Sequence, residues 1–220
     1  LRYTRDKKDF VADRLVAPPF SPTFIGRLST ATSASNVSWD VSGTYAVDKD
    51  INAYARVATG FRAPSIQGRL LFGDTLSVAD SEKVTSLEAG IKADLLQGRA
   101  RLSFGLFQFT IKDQQLTAVG GGANFNRLVN AEKTLGRGAE IDFQAFVTDN
   151  LLVSLGGSYN STQIKDTNLR VDGCASGCTL LDPVTAPANP AIGKFAPTVS
   201  INGNSLPQAP KVVLNFTARY

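Results

Sequence analysis

The most constraining feature of this sequence is an alternation of apolar and polar residues that continues for about ten positions and recurs along the chain. Residues 151–162 read LLVSLGGSYNST, in which one set of alternate positions is mostly apolar and the other is small and polar. Successive side chains of a β-strand point to opposite faces, so this pattern predicts a strand with one apolar and one polar face. Similar stretches occupy residues 37–47, 51–62, 85–94, 135–147 and 211–220. We therefore predict an all-β, antiparallel chain.

The connections between these stretches alternate in length. Short turns fall near residues 48–50, 96–98 and 148–150, and long connections span roughly residues 12–35, 63–82, 113–133 and 166–209. In an antiparallel meander every second connection lies at the same end of the sheet. The spacing predicts about eight strands of about ten to thirteen residues in four hairpins. All short turns then lie at one end and all long connections at the other.

One predicted strand breaks the alternation. In RLSFGLFQFTIK, residues 101–112, the apolar positions change phase between Leu106 and Phe107. Two explanations stay open from the sequence: a β-bulge at these two residues, or an aromatic girdle that covers both faces of the strand there.

Strand length separates two kinds of β-structure. Strands of soluble proteins usually have about five or six residues, whereas a tilted strand needs about nine to eleven to cross the hydrocarbon of a bilayer. Long two-faced strands with short turns at one end therefore indicate a transmembrane β-barrel with a hydrated interior. A soluble β-sandwich binding module is the alternative. No apolar run reaches the length of about 18 residues that a transmembrane helix requires.

The charged and aromatic residues fit a barrel wall. Glu88, Lys92, Glu140 and Asp142 would point into the water-filled interior. Arg56 or Lys92 would neutralise Glu140 and Asp142 there. Aromatic residues that mark the membrane interface are expected among Trp39, Tyr45, Phe61, Phe109 and Tyr159.

Composition narrows the classes of function. The chain has no His, the commonest general base and metal ligand, and we predict no enzyme activity, no cofactor and no metal site. Its formal net charge of +4 is scattered, with RDKK at residues 5–8 the densest basic run, so no nucleic-acid partner is predicted. Because the sequence begins at Leu1 and contains no Met, we interpret it as a fragment or a mature segment of a longer protein.

The two cysteines, Cys174 and Cys178, lie in the loop sequence DGCASGC. A zinc site would need further ligands that the chain lacks. A small disulfide in an oxidising compartment explains the pair better, and two free thiols are the alternative.

Four segments in this order carry a resemblance to a known family: YARVATGFRAPS, VTSLEAGIKADLLQGRARLSFGLFQFTIKDQQL, NAEKTLGRGAEIDFQAFVTDNLLVSLGGSYNSTQIKD and NGNSLPQAPKVVLNFTARY. Together they resemble the C-terminal barrel part of TonB-dependent outer-membrane receptors over most of residues 36–220. The resemblance implies a segment of a 22-stranded barrel. The N-terminal plug domain of that family, its TonB box and the remaining strands are absent from residues 1–220.

The implied function is import of a scarce nutrient across the outer membrane of a Gram-negative bacterium. The nutrient would be a ferric siderophore, an oligosaccharide or cobalamin, and the TonB energy transducer would act through a plug that is not in this chain. Outer-membrane lipid and lipopolysaccharide would surround the barrel. A passive small barrel or porin is the alternative within the same fold.

Candidate ligand-binding residues occur in two of the long connections. Arg62, Gln67 and Arg69 follow a predicted strand in FRAPSIQGR, where guanidinium groups would suit a carboxylate or phosphate. Their alternative role is a structural ion pair with an interior acid such as Glu88. The next long connection contributes Asn124, Phe125, Asn126 and Arg127.

Overall fold

The computed structural model describes residues 1–14, 26–68, 76–120, 125–172 and 198–220, which form strands and turns. Each strand pairing is antiparallel. The strands are β1 (Arg2–Arg14), β2 (Gly26–Ser38), β3 (Asp40–Ala46), β4 (Ile51–Arg62), β5 (Ser65–Gln67), β6 (Ser77–Ala79), β7 (Glu82–Leu95), β8 (Ala100–Gly120), β9 (Phe125–Phe146), β10 (Leu152–Lys165), β11 (Arg170–Asp172), β12 (Thr198–Ser200) and β13 (Val212–Arg219). No helix in the described part of the chain has the length and hydropathy needed to cross a membrane.

The main sheet has seven strands in the order β13-β10-β9-β8-β7-β4-β3. Three two-stranded sheets, β1-β2, β5-β6 and β11-β12, accompany it. Strands β2 and β3 follow each other directly through Trp39, whose backbone oxygen accepts a hydrogen bond of 2.8 Å from the N–H of Thr59 on β4. If β2 and β3 are counted as one continuous strand, the described residues contain eight long strands in four hairpins, as the sequence predicts.

The short turns lie where the sequence predicts them. At residues 47–50 the Asp48 carboxylate accepts hydrogen bonds from the N–H groups of Asp50 (2.7 Å) and Ile51 (2.8 Å). At residues 96–99 both Leu96 and Gln97 have positive φ angles, 53° and 59°. Two successive positive φ values match the right-handed twist of a tight hairpin. We call the end of the strands where these turns lie the short-turn end, and the opposite end of the strands the long-connection end.

Two long connections are shorter than predicted because the strands extend into them. Strand β8 continues to Gly120 and β9 begins at Phe125, so residues 114–120 pair with residues 125–131 instead of lying in a loop. The register continues from Gln114 opposite Ala131 to Gly120 opposite Phe125, past Asp113 and Glu132, which are not paired with each other. Asp113 has a φ of 54°. In the same way β1 and β2 extend into the connection predicted at residues 12–35.

The phase change in RLSFGLFQFTIK does not come from a bulge. Strand β8 pairs with β7 without an offset from Ala100 to Lys112, and with β9 over the same residues. Leu106 and Phe107 therefore point to opposite faces. Phe107 stacks on Phe109 with ring centroids 6.3 Å apart, on the face that also carries Glu88. The prediction of a bulge is therefore wrong. Phe109 points away from the apolar face, so it does not belong to an aromatic girdle at the membrane interface.

The two faces of the main sheet differ in chemistry. We call the face that carries Glu88 and Glu140 the inner face and the opposite one the outer face. The outer face is apolar, and its large side chains are uncovered: Leu106 is 54% exposed, Leu155 45% and Ile141 40%. Within the described residues no second sheet packs on it, so the β-sandwich alternative has no support there.

Few side chains of the described residues are buried, and most of those are small. The buried apolar residues are Ala79, Ala93, Ala100, Ala131, Ala145 and Ile164. Thr134 is the largest fully buried side chain. The sheet is therefore a single layer without a conventional hydrophobic core, and its integrity depends on interstrand hydrogen bonds and on what covers its faces.

Glycines on the inner face make room for aromatic rings. A Cβ atom on Gly138 would lie 2.0 Å from the backbone oxygen of Tyr159 and 2.6 Å from the ring of Phe107. Gly136 is covered in the same way by the ring of Phe109, at 2.1 Å. Substitution at these positions must therefore move a ring or a neighbouring strand.

Gly138→Ala is expected to lower the free energy of unfolding of the intact protein by about 1–3 kcal/mol, because overpacking forces the Phe107 ring and strand β10 apart. The matched control is Gly43→Ala, since a Cβ on Gly43 has no heavy atom within 4 Å. Urea unfolding of the protein in lipid vesicles measures both changes. Equal stability of the two variants would contradict the close packing described above.

Candidate ligand-binding face at the long-connection end

Arg62 ends β4 and lies beside an acid at the start of β7. Its register partner is Glu82, with Arg62 Nη1 and Glu82 Oε1 3.9 Å apart. The Arg62 side chain is 60% exposed, whereas that of Glu82 is 12% exposed. Arg62 thus forms the alternative structural ion pair with Glu82 and not with Glu88. Glu88 instead accepts a hydrogen bond of 2.8 Å from the Tyr54 hydroxyl. The exposed guanidinium stays accessible to a ligand.

Gln115 of β8 fixes both ends of the connection between β4 and β7. Its amide nitrogen donates to the backbone oxygens of Ala63 (2.8 Å) and Asp80 (2.9 Å), and its amide oxygen accepts from the Ser65 hydroxyl (2.6 Å). The Gln115 N–H also donates to Glu82 Oε2 at 2.7 Å. Gln115 is 7% exposed, so these bonds form away from solvent, where a lost partner costs most.

Asn130 of β9, the register partner of Gln115, continues this network. Its amide nitrogen donates to the backbone oxygens of Asp80 (3.0 Å) and Asp113 (2.7 Å), and its amide oxygen accepts from the Asp80 N–H (2.8 Å). The connection that follows Arg62 and carries Gln67 is therefore attached to two strands of the main sheet. Gln115 and Asn130 were not predicted as site residues, because no motif distinguishes a buried amide from an exposed one.

Ser77 connects the strand that carries Gln67 with the strand that carries Arg127. Gln67 faces Ser77 across the β5-β6 hairpin, and the Ser77 hydroxyl accepts a hydrogen bond of 2.9 Å from the N–H of Leu128. Arg127 Nη2 donates to the backbone oxygen of Arg170 at 3.4 Å. Arg62, Gln67 and Arg127 thus all lie at the long-connection end.

The other predicted site residues are placed less completely. Phe125 and Asn126 lie in strand β9, opposite Gly120 and Val119, rather than in a loop. Their positions in a strand correct the prediction, since the β8-β9 hairpin extends to Gly120. Arg69, Asn124, Cys174 and Cys178 lie outside the described residues, and so does the predicted disulfide.

Asp166 fixes the base of the connection that follows β10. Its carboxylate accepts backbone hydrogen bonds from Glu132 (2.9 Å), Asn168 (3.0 Å) and Leu169 (2.8 Å). Burial opposes ionisation of this carboxyl, but the three N–H donors outweigh it and hold its pKa below the usual value of 3.8. An Asp followed by Thr-Asn at the end of a strand is an Asx-turn signal that could have identified this residue.

Closer to the short-turn end, the inner face carries a second polar cluster. The Tyr54 ring lies across Gly90, and Lys92 Nζ is 5.6 Å from the ring centroid. A shallow depression of about 260 Å³ beside it is lined by Arg56, Ala58, Thr59, Gly60, Val84, Ser86 and Glu88. The arrangement offers hydrogen-bond donors and charges to a ligand.

Among the described residues, the predicted neutralisation of Glu140 and Asp142 by Arg56 or Lys92 is not found. Arg56 instead pairs with Asp40 on β3, with Nε and Oδ2 2.9 Å apart. Among the described residues Glu140 and Asp142 are exposed and form no ion pair within 4.0 Å. Nor do the described residues contain a group of three or more His, Cys, Asp or Glu side chains that could hold a metal ion.

The Asp166 contacts predict a pH dependence. Since the folded pKa is depressed, the stabilisation by this carboxylate is present above about pH 3.8 and is lost as the pH falls through the folded pKa. Asp166→Asn should lower the free energy of unfolding at pH 7 by about 1–2 kcal/mol and reduce the acid sensitivity of this connection. Thermal unfolding of the intact protein between pH 2.5 and 7 measures both effects.

The control is Asp149→Asn, which removes an acid that is 89% exposed at the short-turn end. An exposed ion pair contributes little, so its pH profile should follow that of the unaltered protein. A profile of Asp166→Asn that coincides with the control would refute the role of Asp166.

Comparison with known proteins identifies the family. A family profile described as TonB dependent receptor-like, beta-barrel, matches residues 1–220. No curated protein sequence matches the chain significantly. Among solved structures, the siderophore receptor PiuA from Acinetobacter baumannii is similar with a TM-score of 0.61 and 18% identity, over 98% of this chain and 27% of that one.

Two further structures share the fold. The ferric-catecholate import receptor Fiu from E. coli K12 has a TM-score of 0.59 and 17% identity over 98% of this chain and 28% of that one. The ferric yersiniabactin uptake receptor FyuA from Yersinia pestis has a TM-score of 0.53 and 18% identity over 64% of this chain and 21% of that one. The chain thus spans between a fifth and about a quarter of the length of these receptors. With a matching profile over its whole length and a two-faced sheet of long antiparallel strands, the chain belongs to the TonB-dependent receptor family, as part of its β-barrel.

Proposed function

We propose that the chain forms part of the wall of an outer-membrane receptor that binds a scarce nutrient, a ferric siderophore first, and imports it with energy transduced by TonB. The observation that carries this proposal is the division of one sheet into an exposed apolar face and a polar face whose long-connection end is structured by hydrogen bonds. The first face suits lipid, and the second suits a hydrated passage. The protein would lie in the outer membrane of a Gram-negative bacterium.

The size of the apolar face supports a membrane position. Along β10 and the residue before it, this face extends from Leu151 to Tyr159, eight residue steps or about 27 Å. With a strand tilt of about 40° this corresponds to about 20 Å along the membrane normal, close to the apolar band of known outer-membrane barrels. The exposed Leu214 and Phe216 of β13, the register partners of Gly157 and Leu155, continue the band.

The long-connection end supports ligand binding. The exposed Arg62 guanidinium offers several donors to an oxygen-rich anionic chelate. Gln67 and Arg127 lie at the same end of the sheet. Gln115 holds the connection that follows Arg62 and carries Gln67. Two structural neighbours, PiuA and Fiu, are described as a siderophore receptor and a ferric-catecholate import receptor. An oligosaccharide or cobalamin is the alternative ligand.

Coupling to TonB requires parts that residues 1–220 do not provide. In this proposal the plug domain, with the motif that contacts TonB, and the remaining strands of the wall belong to the rest of the intact protein. Transport rather than catalysis is the proposed activity, and no cofactor takes part in it.

Uptake of radioactive iron by iron-starved cells tests the proposal. Cells that carry the intact gene should accumulate a ferric siderophore, whereas cells without the gene or without TonB should not. Arg62→Gln should weaken siderophore binding by about tenfold or more, because a charged donor is lost. Arg99→Gln, which removes an exposed arginine at the short-turn end, is the matched control.

The outcomes separate the alternatives. Uptake that persists without TonB would indicate a passive barrel and overturn the energy-coupled proposal. Import of an oligosaccharide or cobalamin in place of iron would retain a receptor but refute the siderophore assignment.

The lipid contact predicts an asymmetry between neighbouring residues of β10. Leu155→Arg should lower the stability of the membrane-inserted protein by about 2–4 kcal/mol, because an arginine then faces hydrocarbon near the midplane. Ser154→Arg places the same charge at almost the same depth on the inner face and should be tolerated. Unfolding in phospholipid vesicles provides the measurement, and similar losses in both variants would count against the lipid-facing assignment.

A further inference from the structure

Four lysines lie side by side across four neighbouring strands. Lys83 of β7 is the register partner of Lys112 of β8, Lys112 is that of Lys133 of β9, and Lys133 is that of Lys165 of β10. All four are exposed. We call these residues the lysine row. Because neighbouring strands are about 4.8 Å apart, the row spans about 14 Å.

The lysine row lies on the outer face at the long-connection end. Strand β8 pairs without an offset between Leu106 and Lys112, so the two side chains point in the same direction. Arg137, opposite Gln108, lies on this face between the apolar band and the row. From the lysine row to the short-turn end, the outer-face positions of β7 to β10 contain no Asp or Glu.

The positive charges of this surface are not compensated by the described part of the chain. None of Lys83, Lys112, Lys133, Lys165 and Arg137 forms an ion pair within 4.0 Å or a side-chain hydrogen bond among the described residues. Like charges directly opposite each other on neighbouring strands destabilise a sheet. An anionic partner from outside this part of the chain would neutralise the four adjacent lysine charges and remove this repulsion.

The position of the row relative to the apolar band indicates which anion fits. From Leu106 to Lys112 the strand advances six residues, about 20 Å along the strand and about 15 Å along the membrane normal. Phospholipid headgroups extend only about 5–8 Å beyond the hydrocarbon. Arg137 lies within that layer, but the lysine row lies above it. An anionic lipid with phosphorylated sugars extends far enough to contact both.

We propose that the lysine row and Arg137 bind the phosphate groups of a lipopolysaccharide molecule, whose acyl chains pack on the apolar outer face below. This site rests on the proposed location in the outer membrane. It assigns a lipid to one defined part of the barrel circumference, β7 to β10, and it places the long-connection end in the outer leaflet. Lysine side chains suit this role because their ammonium groups adapt to several phosphate positions.

Titration of the purified intact receptor in a zwitterionic detergent with fluorescently labelled lipopolysaccharide tests the site. The variant Lys112→Gln/Lys133→Gln removes the centre of the row and should weaken binding by about tenfold or more. The control, Lys49→Gln/Lys211→Gln, removes the same charge from exposed positions away from the row and should bind as the unaltered protein does. Heat-modifiable electrophoretic mobility verifies that each variant is folded.

Titrations with two other lipids identify the chemical group that the site binds. Dephosphorylated lipopolysaccharide and phosphatidylglycerol should each bind less tightly than intact lipopolysaccharide, and only the intact lipid should distinguish Lys112→Gln/Lys133→Gln from the control. Equal affinity of the two double variants, or undiminished binding of the dephosphorylated lipid, would overturn the site.

The failure of this site can be distinguished from the failure of the proposed function. A receptor found in the outer-membrane fraction and active in iron uptake, but with unchanged lipopolysaccharide affinity in Lys112→Gln/Lys133→Gln, would refute the lysine row alone. Absence of the intact protein from the outer-membrane fraction would refute both.

Discussion

The constraint on which this structure depends is that hydrocarbon offers no partner to a backbone N–H or C=O group. The seven strands of the main sheet meet it by pairing with their neighbours from β3 to β13. Most buried side chains of the described residues are alanines and threonines, so side-chain packing between layers cannot replace those hydrogen bonds. A sheet of this kind is stable only where its edges are paired and its apolar face is covered, which the rest of a receptor barrel and a membrane would provide.

Small residues make room for aromatic rings on the inner face of this sheet. Gly90, Gly136 and Gly138 leave space on the inner face, and rings of Tyr54, Phe109 and Phe107 fill it. Aromatic rings placed over strand glycines shield the backbone at those points. Nearer the long-connection end of the same strands, buried amides such as that of Gln115 form hydrogen bonds that attach the connections to the sheet. The proposed ligand binding at the long-connection end thus depends on positions that the strands set.

The sequence predicts the membrane-spanning part well and the rest less well, for a physical reason. Between lipid and water the two faces differ, so residues 151–159 and 139–147 alternate and the strands can be recognised. Beyond the membrane both faces are wet, and the strand signal disappears from residues 113–133 although residues 114–120 stay paired with residues 125–131. The role of Gln115 could not be predicted, because its partners Ala63 and Asp80 come from a distant connection. The pairing of Arg56 with Asp40 depends in the same way on neighbouring strands.

The most direct test of the central claim, that alternate side chains of one strand face lipid and water, is spin-label accessibility along residues 152–159 of the intact protein in bilayers. Labels would be introduced singly into a background with Cys174 and Cys178 replaced by Ser. Collisions with oxygen should be most frequent at residues 153, 155, 157 and 159, and collisions with a polar nickel complex should be most frequent at the positions between them. Accessibility to the nickel complex at every position, or the absence of a two-residue period, would contradict the account.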